Sequence, residues 1–381
     1  MIYLDNAATS WPKPEEVYTV MERFLREAGA NPGRAGHRMA REAERMILET
    51  RTRLARFFGA PVPERVAFTL NATDSLNIAL KGLLKPGDHV ITSSLEHNSV
   101  ARPLNRLAAL GVEVTRVAND SVGLIDPEAV RKAIKRNTQL IVINHASNVL
   151  GTVQPIRELG RIAKENGLLL VVDAAQSAGH LPIDVEKDGI DILACSGHKG
   201  LLGPPGVGIL VLKDEIPVSP WREGGTGSRS ESPVQPEAYP YRLESGTPNT
   251  VGIAALGAGV AFIEKVGLAQ IRAHEDMLVN RLLEGLRSIS GVKIYGPADA
   301  SLRTGIVSFN LAGWEPVDAG AVLDHVYGIA ARTGLHCAPW AHEAIGTFPA
   351  GCIRFSTGYF NTVEEIDQAV AAVRELVRSA A

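Results

Sequence analysis

Cysteine is scarce in this chain: Cys195, Cys337 and Cys352 are the only three in 381 residues. An odd, widely spaced set does not make a disulfide framework, so a reducing compartment is expected. It also lacks the paired spacing of a zinc site, and no metal is expected. Charge of one sign is missing too. Lys and Arg number 39 against 42 Asp and Glu, leaving a net charge of −3. That excludes the basic footprint of a nucleic-acid binder. The cluster Arg131, Lys132, Lys135 and Arg136 reads as one solvated helix face. No apolar run approaches the ~20 residues that span a bilayer. No basic stretch leads into an apolar segment near Met1, so no secretion signal is visible and a cytoplasmic location is expected. Internal repeats and low-complexity tracts are also absent.

What is present is an ordinary globular composition, 45% hydrophobic and 21% charged, in a chain long enough for two domains. Strand-like runs fall at residues 65–70, 89–92, 112–117, 139–144, 168–173, 190–195 and 207–212. Helical patterns separate the earlier ones, and weaker helices are expected between the later ones. The run Leu168-Leu169-Leu170-Val171-Val172 is apolar throughout. Such strands lie in a sheet covered on both faces, hence mostly parallel. Residues 217–248 are rich in Gly, Ser and Pro and read as a long functional loop. Residues 253–289 read as helix bridging two domains. The expected division is a large α/β domain over residues 15–260 and a smaller α+β domain over 261–381, with residues 1–14 packing on the latter.

The chemistry centres on Ser196-Gly197-His198-Lys199, set between two apolar runs. A buried lysine has a depressed pKa, and its free amine can hold an aldehyde cofactor as a Schiff base. The alternative is a surface turn lysine. Open parallel sheets bind ligands at the carboxyl ends of their strands, and several polar residues fall there. Asp173 could neutralise a protonated ring nitrogen, or simply cap a helix. Gln176, three residues on, could donate to a ring oxygen. Thr73 sits at a helix start, as a phosphate contact or only an N-cap. His97 could stack on a flat ring, and Asn148 could reach it. Arg332 and Arg354 could pair with a carboxylate, as an amino-acid substrate offers, or form surface ion pairs. Cys337 lies between them beside His336. Positive neighbours would favour its nucleophilic thiolate form, whereas a lone cysteine is otherwise an inert core thiol.

Together these stretches resemble the class V, fold-type I pyridoxal-phosphate enzymes, in particular the cysteine desulfurase and selenocysteine lyase family. The matching segments are Tyr3-Leu4-Asp5-Asn6-Ala7-Ala8-Thr9, Ala72-Thr73, Glu96-His97, Ser147-Asn148-Val149-Leu150-Gly151, Val172-Asp173-Ala174-Ala175-Gln176-Ser177 and Ser196-Gly197-His198-Lys199. Glu244-Ser245-Gly246-Thr247-Pro248-Asn249, Arg332-Thr333-Gly334 and His336-Cys337-Ala338 follow in family order. The resemblance implies a mostly parallel seven-stranded sheet and pyridoxal 5′-phosphate as cofactor. It implies that Lys199 carries the cofactor, Asp173 pairs with its ring nitrogen, Gln176 with its ring oxygen, and His97 stacks on it and takes part in catalysis. Ala72, Thr73, Ser196 and His198 would hold the phosphate. Thr247 would reach the phosphate of a second subunit, giving a homodimer with a shared site. Asn148, Arg354, Arg332, His37 and Ala8 would contact the substrate, and Cys337 would accept sulfur.

The short segment around Cys337 looks like the SUF-type group. Leu335 and Pro339-Trp340 depart from that group's usual histidine and Met-Pro. The implied activity converts L-cysteine to L-alanine and leaves a persulfide on Cys337, with selenocysteine as a second substrate and a sulfur-acceptor protein as a partner. One alternative is a class V aminotransferase, or a related lyase or epimerase, which would not need Cys337. Another is a non-catalytic, cofactor-binding scaffold in iron–sulfur assembly.

Overall fold

The computed structural model describes residues 1–33 and 36–379. The loop reading at residues 34 and 35 lies outside them.

Seven strands form the large sheet: β2 (Val66–Thr69), β3 (His89–Ser93), β4 (Glu113–Val117), β5 (Thr138–Asn144), β6 (Leu169–Asp173), β7 (Ile192–Ser196) and β8 (Gly208–Leu212). Their order is β2-β8-β7-β6-β5-β3-β4. Strands β3 to β7 pair in parallel, and β8 runs antiparallel to both β7 and β2. Every residue of β3, β7 and β8 is buried. That is why β8 and most of β7 read as unbroken apolar runs rather than alternating ones, whereas β3 buries His89, Thr92 and Ser93 as well. The expected seven-stranded, mostly parallel sheet is the one observed.

Helices α1 (Glu15–Glu27), α2 (Arg38–Phe58), α3 (Ala72–Leu83), α4 (Asn98–Ala108), α5 (Pro127–Lys132) and α6 (Ile156–Glu165) precede or connect these strands. Two expectations fail here. No helix joins β6 to β7. Gly179 instead packs so tightly on the Gly200 carbonyl that an added Cβ would lie 2.1 Å from it, which ties the connection to the Lys199 segment. The stretch read as one bridging helix is two, α7 (Thr250–Val266) and α8 (Leu268–Arg287), bent by 82°. Gly267, with φ of 90°, makes the break. Residues 213–249 hold neither helix nor strand.

A four-stranded antiparallel sheet follows, ordered β12 (Arg332–Gly334), β13 (Cys352–Ser356), β10 (Ile306–Leu311), β9 (Val292–Tyr295). Helices α8, α9 (Pro316–His325) and α11 (Val363–Ser379) share a second apolar core with it, and short α10 (Pro339–Ala344) follows Cys337. The chain's first strand, β1 (Ile2–Tyr3), pairs in parallel with β11 (Ile329–Ala330). Asp5 then bridges to Ser356, and residues 9–13 cross to the Lys199 segment. Among the described residues no single helix is long and apolar enough to cross a membrane.

Candidate active site

The carboxyl ends of β2, β3, β5, β6 and β7 open on one cavity of about 220 Å³. Its walls include Thr73, His97, Asn148, Asp173, Gln176 and Lys199, with Ala72, Ser196 and His198 beside them. Nine expected residues, scattered over more than a hundred positions, meet there because each ends or follows a strand of one sheet.

Thr73 is the second residue of α3. Asn71, not Thr73, caps the helix, its side chain accepting from Asp74 N–H at 2.9 Å. The Thr73 hydroxyl instead meets Ser99 Oγ at 2.7 Å. The first amides of α3 have no partner inside the helix, which suits an anion. His97 caps α4 through Nδ1, which accepts from Ser99 N–H at 3.0 Å. The proton of the neutral ring therefore sits on Nε2. Burial, aided by Lys199, pushes its pKa down to about 4, so the ring is uncharged at neutral pH.

Asp173 closes β6 and accepts from Ala175 N–H at 2.9 Å. Burial raises its pKa, and Lys199 opposes that shift. Gln176 Nε2 donates to the Ala7 carbonyl at 2.9 Å, which brings the N-terminal segment to the cavity wall. Lys199 is half-buried. Burial pushes its pKa from 10.5 down to about 8; Asp173 raises it, and Arg354 and Arg332 lower it. Roughly one molecule in ten then carries the free amine at pH 7.

The segment holding Lys199 is anchored from outside the sheet. The His198 carbonyl accepts from Lys13 Nζ at 2.8 Å and from Ser10 N–H and Thr9 Oγ1, both at 3.1 Å. Ser10 Oγ donates to the Lys199 carbonyl at 2.9 Å.

Cys337, Arg332 and Arg354 do not line the cavity; they adjoin it through Asn148. Asn148 Nδ2 donates to the His336 carbonyl at 2.7 Å, and Arg354 Nη1 donates to the Asn148 carbonyl at 2.9 Å. Arg354 is 1% exposed and its Nη2 donates to Asp5 Oδ1 at 2.8 Å, leaving Nε without a partner. Cys337 is exposed, whereas Cys195 and Cys352 are buried. Arg332 Nη2 lies 3.5 Å from Cys337 Sγ. The other expected cation is absent. His336 is 3% exposed, and burial with the nearby Arg354 guanidinium pushes its pKa down to about 2. It is neutral, because a buried imidazole beside an arginine cannot hold a second charge.

His37, Ala8 and Thr247 do not line the cavity either. Exposed His37 caps α2, accepting from Ala40 N–H at 3.3 Å. Ala8 follows the Ala7 carbonyl that holds Gln176. Thr247 is exposed and borders a separate cavity of about 450 Å³. Glu244 fixes the chain just before it. Its carboxylate accepts from Arg51 at 2.7 and 2.9 Å and from Phe68 N–H at 2.7 Å.

Sequence reasoning missed Ser99 and Asn144, which line the cavity, and Asp5, which pairs with Arg354. Asn144 ends β5, and the strand-end rule that found Asp173 would have found it. Glu96 was read only as part of a motif. It is fully buried, with Oε2 unpartnered, and burial pushes its pKa up to about 8.

The site fits pyridoxal phosphate in three respects. Buried His198 Nδ1 and Asn148 Oδ1 lack partners within the protein. A helix start faces the same space, and a carboxylate and a depressed lysine share it.

Comparison with known proteins agrees. The aminotransferase class-V family matches residues 2–369. A probable cysteine desulfurase of Methanothermobacter thermautotrophicus is 37% identical over 96% of this chain and 92% of its own. One from Pyrococcus abyssi is 38% identical over 100% of this chain and 95% of its own. Among solved structures, an apo cysteine desulfurase from Thermococcus onnurineus matches with a TM-score of 0.93 at 38% identity, over 99% of this chain and 95% of that one.

Proposed function

The chain belongs to the class-V aminotransferase family, and from that premise we propose that it is a pyridoxal-phosphate-dependent cysteine desulfurase. The single observation that carries the choice within the family is the exposed Cys337 on a turn bonded to Asn148, which itself lines the Lys199 cavity. An aminotransferase has no use for a thiol there, and neither does a scaffold that only holds the cofactor.

The cofactor, when bound, supplies an aldehyde that links to amines and a ring that takes up electrons. In this reading Thr73, Ser196 and His198 hold its phosphate, His97 covers the ring, and Asp173 keeps the ring nitrogen charged. Neutral His97 can do this without adding a cation beside Lys199. The free Lys199 amine takes the substrate's α-proton at Nζ, which a lysine held at its ordinary pKa could seldom do near neutrality. In this reading Arg354, whose buried Nε lacks a partner, grips the substrate's carboxylate, with Asn148 beside it. Cys337 Sγ, as the thiolate, attacks the substrate sulfur. The carbon–sulfur bond breaks with its electron pair passing to the substrate's β-carbon, which takes up a proton and becomes the methyl group of L-alanine, while the sulfur stays on Cys337 as a persulfide. Arg332 Nη2, 3.5 Å from Sγ, is placed to hold the attacking sulfur in position. The same attack takes selenium from L-selenocysteine. The shortness of the segment around Cys337 supports membership of the SUF-type group in this reading, with Leu335 and Pro339-Trp340 as its departures from that group.

Incubation with L-cysteine and a reductant tests the reaction. Sulfide and alanine in equal amounts are expected. A keto acid would favour an aminotransferase, and no turnover would favour the scaffold.

We also propose a homodimer that shares its sites. Thr247 and His37 stand apart from the cavity of their own chain. The groove beside Thr247 is rimmed by exposed Leu48, Leu70 and Tyr241, at 53%, 53% and 38%. An apolar rim of this kind fits a second subunit better than water. Sedimentation at micromolar concentration is expected to find a dimer, and Thr247→Ala is expected to loosen cofactor retention without dissociating it. A fully active monomer would refute the shared site.

A further inference from the structure

The turn that presents Cys337 is built in a backbone region that side chains with a β-carbon rarely adopt. φ is +50° at His336 and +57° at Cys337. Ala338 N–H donates to the Leu335 carbonyl at 2.8 Å. Two positive φ values closed by this bond are the pattern of a type I′ turn, whose centre favours Asn and Gly. Histidine and cysteine stay there only if their surroundings hold them.

Three contacts do so. Asn98 N–H donates to the Cys337 carbonyl at 2.8 Å, and Asn148 Nδ2 to the His336 carbonyl at 2.7 Å. The third runs through the His336 ring. Its Nε2 faces the Arg332 carbonyl at 3.3 Å. A carbonyl only accepts, so Nε2 carries the proton and Nδ1 of the neutral ring accepts. His342 Nε2 lies 3.3 Å from that Nδ1 and therefore donates to it. His342 Nδ1 then accepts from the Thr347 hydroxyl at 2.7 Å. Burial keeps both rings neutral, with His342 pushed down to about 4. The chain from Thr347 through His342 and His336 to the Arg332 carbonyl is complete. It ends on the residue whose guanidinium reaches Cys337 Sγ.

We propose that His342 is a positioning residue for Cys337: by hydrogen-bonding the buried His336 ring it holds the left-handed His336–Cys337 pair that presents the thiol. The proposal rests on Cys337 being the sulfur acceptor. His342 is fully buried and lines no part of the Lys199 cavity, so its effect reaches the reaction only through the turn. Cys352 Sγ lies 3.9 Å from His336 Nδ1, and the three side chains are close enough to hold a metal ion. The hydrogen-bond chain satisfies both rings without one, and the longer Cys352 contact is not needed to complete it.

The experiment measures single-turnover persulfide formation by mass spectrometry, together with steady-state KM, cofactor absorbance and Tm. The variants are His342→Phe, His342→Gln and Cys352→Ala. His342→Phe is expected to slow persulfide formation at least tenfold with KM and cofactor absorbance unchanged. His342→Gln, which can still donate to His336, is expected to recover most of that loss. Cys352→Ala is expected to keep the wild-type rate. Wild-type rates in His342→Phe would overturn the proposal. So would equal losses in the Phe and Gln variants accompanied by lost cofactor or a lowered Tm, which mean packing alone. One bound zinc per chain, removed by chelation together with activity and missing from Cys352→Ala, would also overturn it. A wild-type persulfide mapped to another residue would instead sink the Cys337 reading, and the unmodified enzyme shows this separately.

Discussion

Cys337→Ala is expected to release sulfide from L-cysteine at least about 100-fold more slowly than wild type, while still binding cofactor and substrate. The three cysteines divide cleanly by environment. Cys195 sits in β7 with no exposure, and burial pushes its thiol up well beyond the usual range. Cys352 opens β13, also with no exposure, and burial pushes it up to about 11. Neither forms a thiolate near neutral pH, and neither meets a substrate. Cys337 alone is exposed, at the centre of a turn, with a guanidinium 3.5 Å from its sulfur. Cys195→Ala and Cys352→Ala should therefore cost only about 1 kcal/mol of packing each and retain most activity. Mass spectrometry of wild type after one turnover should find one added sulfur, on Cys337. Wild-type sulfide release by Cys337→Ala would sink Cys337 as the sulfur acceptor and favour the related class V lyase instead.

The sheet was legible because both its faces are covered. Strands such as β6 and β7 announce themselves as short apolar runs, and the polar residue after each run points to the cavity. Asp173, Asn148 and Lys199 were found that way, whereas Ser196 entered only through the family resemblance. The rule stops where position depends on contacts between distant segments. Nothing local marks Asp5 as the partner of Arg354, since the two are joined only when the N-terminal segment bridges to β13. The charge of His336 was misread for the same reason. Beside Cys337 in sequence it looks like a cation, but burial between β12 and α10 and the Arg354 guanidinium strip it of its proton. The missing β6–β7 helix was lost to a backbone contact, Gly179 on Gly200, that no periodicity records. The bend at Gly267 left a sign, a glycine within a helical run, which composition alone could not separate from a tolerated interior glycine.

Lys199→Ala is expected to abolish covalent cofactor attachment and to reduce turnover by at least about 1,000-fold, because one amine serves as both anchor and base. Borohydride reduction of wild type followed by peptide mapping should place the adduct on Lys199, and an adduct on another lysine would sink the assignment. Lys13 is the competitor to watch. Burial pushes its pKa down to about 8 as well, so low pKa alone does not choose between the two amines. Their partners do. Lys13 Nζ is occupied by Ser10 Oγ at 2.7 Å and the His198 carbonyl at 2.8 Å, and it does not line the cavity. Lys199 lines the cavity beside Asp173. The pH dependence follows in sign from the same shift. Only the neutral amine attacks an aldehyde, so the rate at which cofactor-free protein takes up a small aldehyde at Lys199 should rise about tenfold per pH unit below 8 and level off above it. An ordinary lysine would keep rising toward 10.5. Lys13→Met should leave that profile in place, because Lys13 holds the segment's backbone rather than the reactive nitrogen. A profile that still climbs at pH 9.5 would show that Lys199 keeps its charge in the folded protein. The base in the reaction would then have to be sought elsewhere in the cavity.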